Sequence, residues 1–318
     1  MGSKNRIVYI LTVIFLLINI AYAADVNITV GTASMGGTFY PLGTGIAKVI
    51  TEYAEGVQAT AEVTAGSVDN SKLVGSGKTD VALAMADVVY GAYTGTEKFE
   101  EKYEDLRGLF MTYGQMMHLV VKENSPIKSI ADLKGKKVSP GPAGSGTAFM
   151  TSIILEAYGI SPNDLRLEYL THAEESMGLG DGTLDAAFYL MGIPCAAVTE
   201  FCASHDARFI PIEKEYLKKI TEKFPFYAEM PIPAGTYKAQ PDSVPSVGVK
   251  VCFIANKNVP EDVAYEITKA VLEHVPELIK IHSIAKELSF EKALDGMPIP
   301  LHPGAERYYR EKNHPKLN

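Results

Sequence analysis

The sequence predicts an α/β fold of two lobes with a ligand cleft between them. Three observations carry that reading. Short β-rich runs alternate with helical patterns. Two stretches repeat the order strand, glycine-rich turn, helix. An apolar strand near residue 250 arrives without enough companions to found a third unit. In the first stretch, residues 27–33, 59–66 and 80–87 (NITVGTA, ATAEVTAG, DVALAMAD) read as strands, with helices over 41–53 and 69–75 between them. Pro41 suits a first helical turn, where its missing N–H leaves no hydrogen bond unmade. The βαβαβ order implies a parallel sheet with right-handed crossovers. Two apolar runs over 106–123 lead into the second stretch: a helix closed by Gly135, a strand, the turn GPAGSGTAF at 141–149, and a helix. RLEYLTH, LDAAFYLMG and ARFIPIE continue as strands. After a proline-rich connector at 229–247 comes the strand GVKVCFIAN, 248–256, followed by helices. If those helices pack back on the first unit, the chain crosses between lobes near Val121 and Val249. The lobes are then 24–121 plus 250–318, and 122–249.

Residues 1–23 carry Lys4 and Arg6, an interrupted apolar run and the small-residue end Ala21-Tyr22-Ala23. This is the pattern of a secretory signal peptide, and it is shorter than the roughly 20 apolar residues of a comfortable membrane span. The net charge of −8 argues against nucleic acid or an anionic membrane surface as partner. Cys195 and Cys202 fall in a helical pattern, where seven residues separate the Cα atoms by roughly 10.5 Å. A disulfide needs less than about 7 Å, so no bridge is expected there.

The chemistry centres on two turns. Gly31-xxxx-Gly36-Gly37-Thr38 matches a phosphate-binding loop except that Gly37 stands where the lysine belongs, which argues against nucleotide hydrolysis. Free N–H groups at the following helix start hold a carboxylate or phosphate without a cationic side chain. Thr38 and Tyr40 add hydroxyls. Ser145, Gly146 and Thr147 precede a helix in the same way in the second stretch, so the two turns are placed to clamp one anion from both sides. Ser67 reads as an N-cap or as a ligand contact, with Asn70 beside it. Asp87 reads in the same two ways; in a cleft its carboxylate would hold an ammonium group. Catalysis has little support: around Ser145 the G-x-S-x-G positions are Ala143 and Thr147. The histidines, His172 among them, are scattered without metal-ligand spacing, and Glu174–Glu175 reads as a solvated helix face. No catalytic residue, metal or cofactor is expected.

Five ordered blocks spanning the chain beyond its first residues, VGTASMGGTFYPLGTGIAKVI, TAGSVDNSKLVGSGKTDVALAMAD, IADLKGKKVSPGPAGSGT, GTLDAAFYLMGIPCAA and PLHPGAERYYRE, resemble the TAXI family of solute receptors for TRAP transporters. The resemblance implies a type II periplasmic binding-protein fold and a periplasmic location. It also implies delivery of a small organic anion, such as a carboxylate or glutamate-like amino acid, to a TRAP membrane permease. By motif match, Gly36, Gly37, Thr38 and Tyr40 line the first lobe with Ser67, Asn70 and Asp87 beside them. Ser145, Gly146 and Thr147 face them from the second lobe, with Gly192 of MGIP nearby. Met85 stands where the family often has glutamine. A thioether lacks the amide's donors, which favours an acid with an apolar tail. The alternatives are a binding protein of the same fold serving an ABC importer or sensor kinase and, further off, a secreted hydrolase.

Overall fold

The computed structural model describes residues 25–96, 99–238 and 240–317; the expected signal segment lies outside them. The first unit runs β1 (Val26–Gly31), α1 (Phe39–Tyr53), β2 (Val57–Glu62), α2 (Ser67–Gly75), β3 (Val81–Met85), α3 (Ala86–Thr94). Strand β1 pairs in parallel with both β2 and β3, the arrangement the βαβαβ order implies. Helix α1 begins at Phe39, two residues before the expected start. Its Leu42, Ile46, Val49 and Ile50 recur at helical spacing and form the stripe that covers the sheet. Strand β3, VALAM, is buried along its whole length, as a central strand flanked on both faces must be.

The two apolar runs expected over 106–123 are one strand, β4 (Leu106–Lys122). Seventeen residues at about 3.4 Å each reach roughly 57 Å, enough to serve both halves of the molecule. Beyond it lie β5 (Lys137–Ser139), α4 (Gly146–Ala157), β6 (Arg166–Leu167), α5 (His172–Asp181), β7 (Ala186–Met191), α6 (Ala196–Ser204), β8 (Ala207–Phe209), α7 (Lys214–Lys223) and β9 (Tyr227–Glu229). Then come β10 (Val247–Asn256), α8 (Glu261–Glu273), α9 (Val275–Ile281) and α10 (Pro303–Glu311). The helix expected before Gly135 is a short 3-10 turn, Ile130–Leu133, held by reciprocal capping between Ser129 and Asp132.

The strands form one ten-stranded sheet in the order β2-β1-β3-β10-β4-β7-β5-β6, with β8 on β4 and β9 on β10. Strands β4 and β10 are its antiparallel spine and exchange partners along their length. Val251–Ala255 of β10 pairs with β3, while Val247–Val249 pairs with β9. On β4, Met116–Val120 pairs with β7 and Val120–Lys122 with β8. Register shifts against β4 lie between Lys250 and Cys252, where β10 passes from β9 to β3, and between Phe253 and Ile254, within the stretch paired with β3. The cysteine reading fits this packing: Cys195, Cys202 and Cys252 are buried and outside any disulfide, with Cys195 just ahead of α6.

Candidate functional site

The two glycine-rich turns meet at one cavity. Its wall is Ala33, Ser34, Gly37, Thr38 and Phe39 from the first turn, Ala65–Ser67, Met85, Gln115 on β4, Pro142 and Ser145–Thr147 from the second turn, His172, and Leu190 and Met191 at the end of β7. The free space is about 30 Å³, room for about two waters. A larger hollow of about 300 Å³ lies on the other side of the Gly144–Ser145 turn. That hollow is walled mainly by Val68, Phe99, Phe149, Leu155, Leu167 and Tyr169, without a charged side chain. The smaller cavity is the better candidate because polar groups converge on it from both turns.

Five helices begin at this cavity. Thr38 and Phe39 start α1, Gly66 and Ser67 start α2, Met85 caps α3, Ser145 and Gly146 start α4, and His172 is the first residue of α5. Each N-terminus carries a partial positive charge of about half an elementary unit and amides without intrahelical acceptors. On α4, Ser145 Oγ accepts from Ala148 N–H at 3.1 Å, and Phe149 N–H bonds the Ser145 carbonyl at 3.2 Å. The amides of Gly146 and Thr147, one turn earlier in the ladder, have no intrahelical acceptor. The wall contains no Asp, Glu, Lys or Arg. Its positive potential therefore comes from backbone dipoles, with His172 the one wall residue able to take up a proton.

Hydrogen bonds close the two sides on each other. Val68 and Asp69 N–H both donate to Gly144 O, at 3.1 and 3.3 Å, and Ala197 N–H donates to Gly36 O at 3.3 Å. Thr38 Oγ1 donates to Gly192 O at 3.2 Å. Gly36 holds a φ of +95°, a conformation that favours glycine. A Cβ on Gly146 would lie 2.7 Å from Met85 Cε and 3.1 Å from Ser67 Oγ, so a side chain there would have to displace the Met85 thioether for the second turn to come this near.

Of the residues expected from sequence, Gly37, Thr38, Ser67, Met85, Ser145, Gly146 and Thr147 are in the wall. Gly36 and Gly192 sit just behind it and supply carbonyls to the closing bonds. Tyr40, Asn70 and Asp87 are not part of the wall. Asn70 Nδ2 ties Thr32 O to Leu83 O, both at 2.7 Å, and so staples the ends of β1 and β3. Asp87 accepts from Tyr227 OH at 2.5 Å within a buried contact, away from any ligand ammonium. Ser67 is not the N-cap: Gly66 holds that place, and Ser67 Oγ instead accepts from Met85 N–H at 3.2 Å. Ser145 Oγ donates to Pro142 O at 2.6 Å, so its hydroxyl is occupied in shaping the turn.

Sequence reasoning passed over three groups. Glu175 is fully buried, not on a solvated face. It accepts from Ser139 Oγ at 2.6 Å and pairs with His172 Nδ1 at 2.7 Å, and burial pushes its carboxyl up from the usual range. The signal was present as the reciprocal cap Thr171-x-x-Glu174, which fixes His172 as the first helical residue, one turn from Glu175. Gln115, 2% exposed, carries a buried Oε1 without a hydrogen-bond partner among the described residues. No sequence pattern marks it, because it stands in an apolar strand.

Comparison with known proteins agrees with this architecture. A protein from Bordetella bronchiseptica RB50 superposes with a TM-score of 0.58 at 16% identity, over 91% of this chain and 98% of that one. The periplasmic binding protein BugD gives 0.58 at 13% identity, over 93% and 95%. The "Putative L-Cystine ABC transporter" from Listeria monocytogenes gives 0.52 at 17% identity, over 84% and 98%. The fold is the two-lobed type II periplasmic binding-protein fold. In sequence, 135 residues are 30% identical to the "Putative aliphatic sulfonates-binding protein" of Escherichia coli (strain K12), a stretch covering 42% of this chain and 37% of that protein. Residues 30–312 match the NMT1-like family across nearly the whole described fold, and the chain belongs to that family.

Proposed function

We propose that this chain is a periplasmic solute-binding protein that captures a small organic anion between two lobes and hands it intact to a membrane permease. The observation that carries the reading is the convergence of five helix N-termini on one cavity without an acidic wall residue. The lobes are 24–121 plus 250–318, and 122–249, hinged on β4 and β10. Gly37, Thr38, Ser67, Met85, Ser145, Gly146, Thr147 and His172 are the contacts. The reading involves no reaction: Ser145 Oγ is turned into its own loop, donating to Pro142 O and accepting from Ala148 N–H. A glutamate-like ligand is disfavoured, because Asp87 is not in the wall and no other carboxylate stands there to hold an ammonium group. Phe39, Met85, Leu190 and Met191 instead supply apolar wall for a short carboxylate or sulfonate.

For the membrane partner, the name of the Listeria monocytogenes neighbour supports an ABC importer. The five ordered blocks that resemble TAXI receptors support a TRAP permease as the second reading. A neighbouring gene for an ATPase subunit, as against a large permease without one, separates the two. Native mass spectrometry of freshly purified protein tests the capture itself, with a retained acid of low mass as the expected result. Solution scattering adds a second test: unchanged dimensions on saturation with that acid would count against closure.

A further inference from the structure

We infer that anion capture in this cavity takes up one proton, held by the His172–Glu175 pair, whose Nε2–H then grips a small carboxylate or sulfonate. The inference rests on the capture reading and adds to it the group that sets the charge of the site. His172 is 7% exposed and its ring forms part of the wall, with Nδ1 turned inward to Glu175. Its Nε2 has no hydrogen-bond partner among the described residues and lies beside the Gly37 turn, 3.8 Å from where a Cβ there would stand. Gln115 Oε1 is a second polar atom of the wall without a partner, placed to meet a donor on the solute.

The pair has two relevant proton counts. With one proton on Nδ1 and Glu175 ionised, the pair carries −1 and presents Nε2 as a lone-pair acceptor, which repels an incoming anion. With one more proton the pair is neutral overall, either as imidazolium with carboxylate or as Nε2–H imidazole with a carboxylic acid. Both forms present an Nε2–H donor to the cavity. Ser139 Oγ on β5 fixes the other carboxylate oxygen at 2.6 Å, so the carboxyl cannot rotate away from the ring. The other titratable groups near the pair are Tyr189 on β7, its ring centroid 5.6 Å from that of His172, and the Cys195 thiol ahead of α6. Burial pushes Tyr189 well up and Cys195 up to about 12, so both stay neutral while the pair changes charge. The first turn contributes no ionisable side chain to the wall. The balance is then a pair at −1, a proton from solvent and a monoanion, giving a complex at −1.

Calorimetric titration of the full chain with acetate and with methanesulfonate, from pH 6 to 9, tests this. Methanesulfonate stays ionised throughout, so its pH dependence belongs to the protein, and the two probes separate carboxylate from sulfonate preference. The expected result is a Kd that weakens toward tenfold per pH unit on the alkaline side, with one proton taken up when two buffers of different ionisation heat are compared. His172→Gln combined with Glu175→Gln keeps an amide donor in the wall and leaves neither member of the pair able to titrate, and its Kd should be flat with pH. A probe that binds wild type with a pH-independent Kd and no proton uptake overturns the inference and leaves capture standing. Failure of both probes to bind at pH 6 rejects the inference together with the small-acid reading above.

Discussion

Gly146→Ala probes closure directly. Gly146 opens α4 and packs against Met85 and Ser67 from the other side of the cavity. An alanine Cβ would lie 2.7 Å from Met85 Cε, nearer still to the sulfur, and 3.1 Å from Ser67 Oγ. Alanine is a good helix former at that position, so helix α4 and the second lobe should fold as before. On the capture reading the turns part in the empty protein, so the collision belongs to the closed state. Met85 is 3% exposed and has little room to swing aside, so overpacking of about 1–3 kcal/mol falls on the closed state. At about 1.4 kcal/mol per decade, ligand affinity should weaken roughly 5- to 150-fold. The assay is calorimetric titration with the acid that co-purifies or, failing one, with methanesulfonate, alongside melting of the ligand-free protein. The melting temperature of the empty, open form should change little. Removing the obstructing thioether with Met85→Ala in the same chain should recover part of the affinity. An unchanged Kd for Gly146→Ala, or an equal loss of Kd and empty-state stability, would refute the argument that this contact forms on closure.

Thr38→Val removes the Thr38 Oγ1 bond to Gly192 O and should weaken binding by about 0.5–1.5 kcal/mol, roughly 2- to 12-fold, with the empty protein's melting unchanged. Asp87→Ala should do the reverse: loss of the buried Tyr227 contact lowers the melting temperature while Kd stays near wild type, as titration of both variants will check. Burial holds His118 down to about 4, where it stays neutral with Nε2 facing Tyr237 OH at 3.1 Å. Its unfolded form binds a proton below about 6.5, so its contribution is full above that pH and is lost as pH falls toward 4. The loss is at most about 3 kcal/mol, and His118→Gln should flatten that part of the stability profile in chemical denaturation at pH 7 and 4.5. The three buried thiols should resist maleimide labelling in the native state and react together on unfolding.

The sequence revealed those parts of the fold that follow from local rules. Helical spacing of Leu42, Ile46, Val49 and Ile50, the apolar run of β3 and the two glycine-rich turns each fix an element and its burial without reference to distant residues. The unbroken course of β4 was hidden, because Gly114 and Gln115 interrupt its apolar character where the sheet changes partners. The shared cavity was legible for the same local reason at the turns, whose glycines and hydroxyls lie next to helix starts. It failed at Asp87 and Asn70, where a polar side chain beside the expected cleft is spent on holding strands and helices together. It failed at Glu175 in the opposite sense. A charge in a run of two carboxylates looks solvated until tertiary structure brings Ser139 and His172 to it.

The missing lysine of the first turn has a consequence for release. A buried charge-assisted hydrogen bond from a fixed cation contributes about 1.5–3 kcal/mol, and truncating either partner leaves the other charge stranded. On the proposed function the protein must let its solute go, so a wall whose fixed positive potential comes only from helix dipoles has an advantage. On the capture reading, parting of the proposed lobes would move the dipoles of α1, α2 and α3 away from those of α4 and α5 and let water reach the amides. The closing bonds at Thr38, Gly144 and Gly36 are neutral. Replacing Gly37 by lysine should therefore tighten acid binding chiefly by slowing dissociation, with the association rate changed much less. Stopped-flow displacement of a bound acid measures this: a faster or unchanged dissociation rate would show that the turn does not point its potential at the solute.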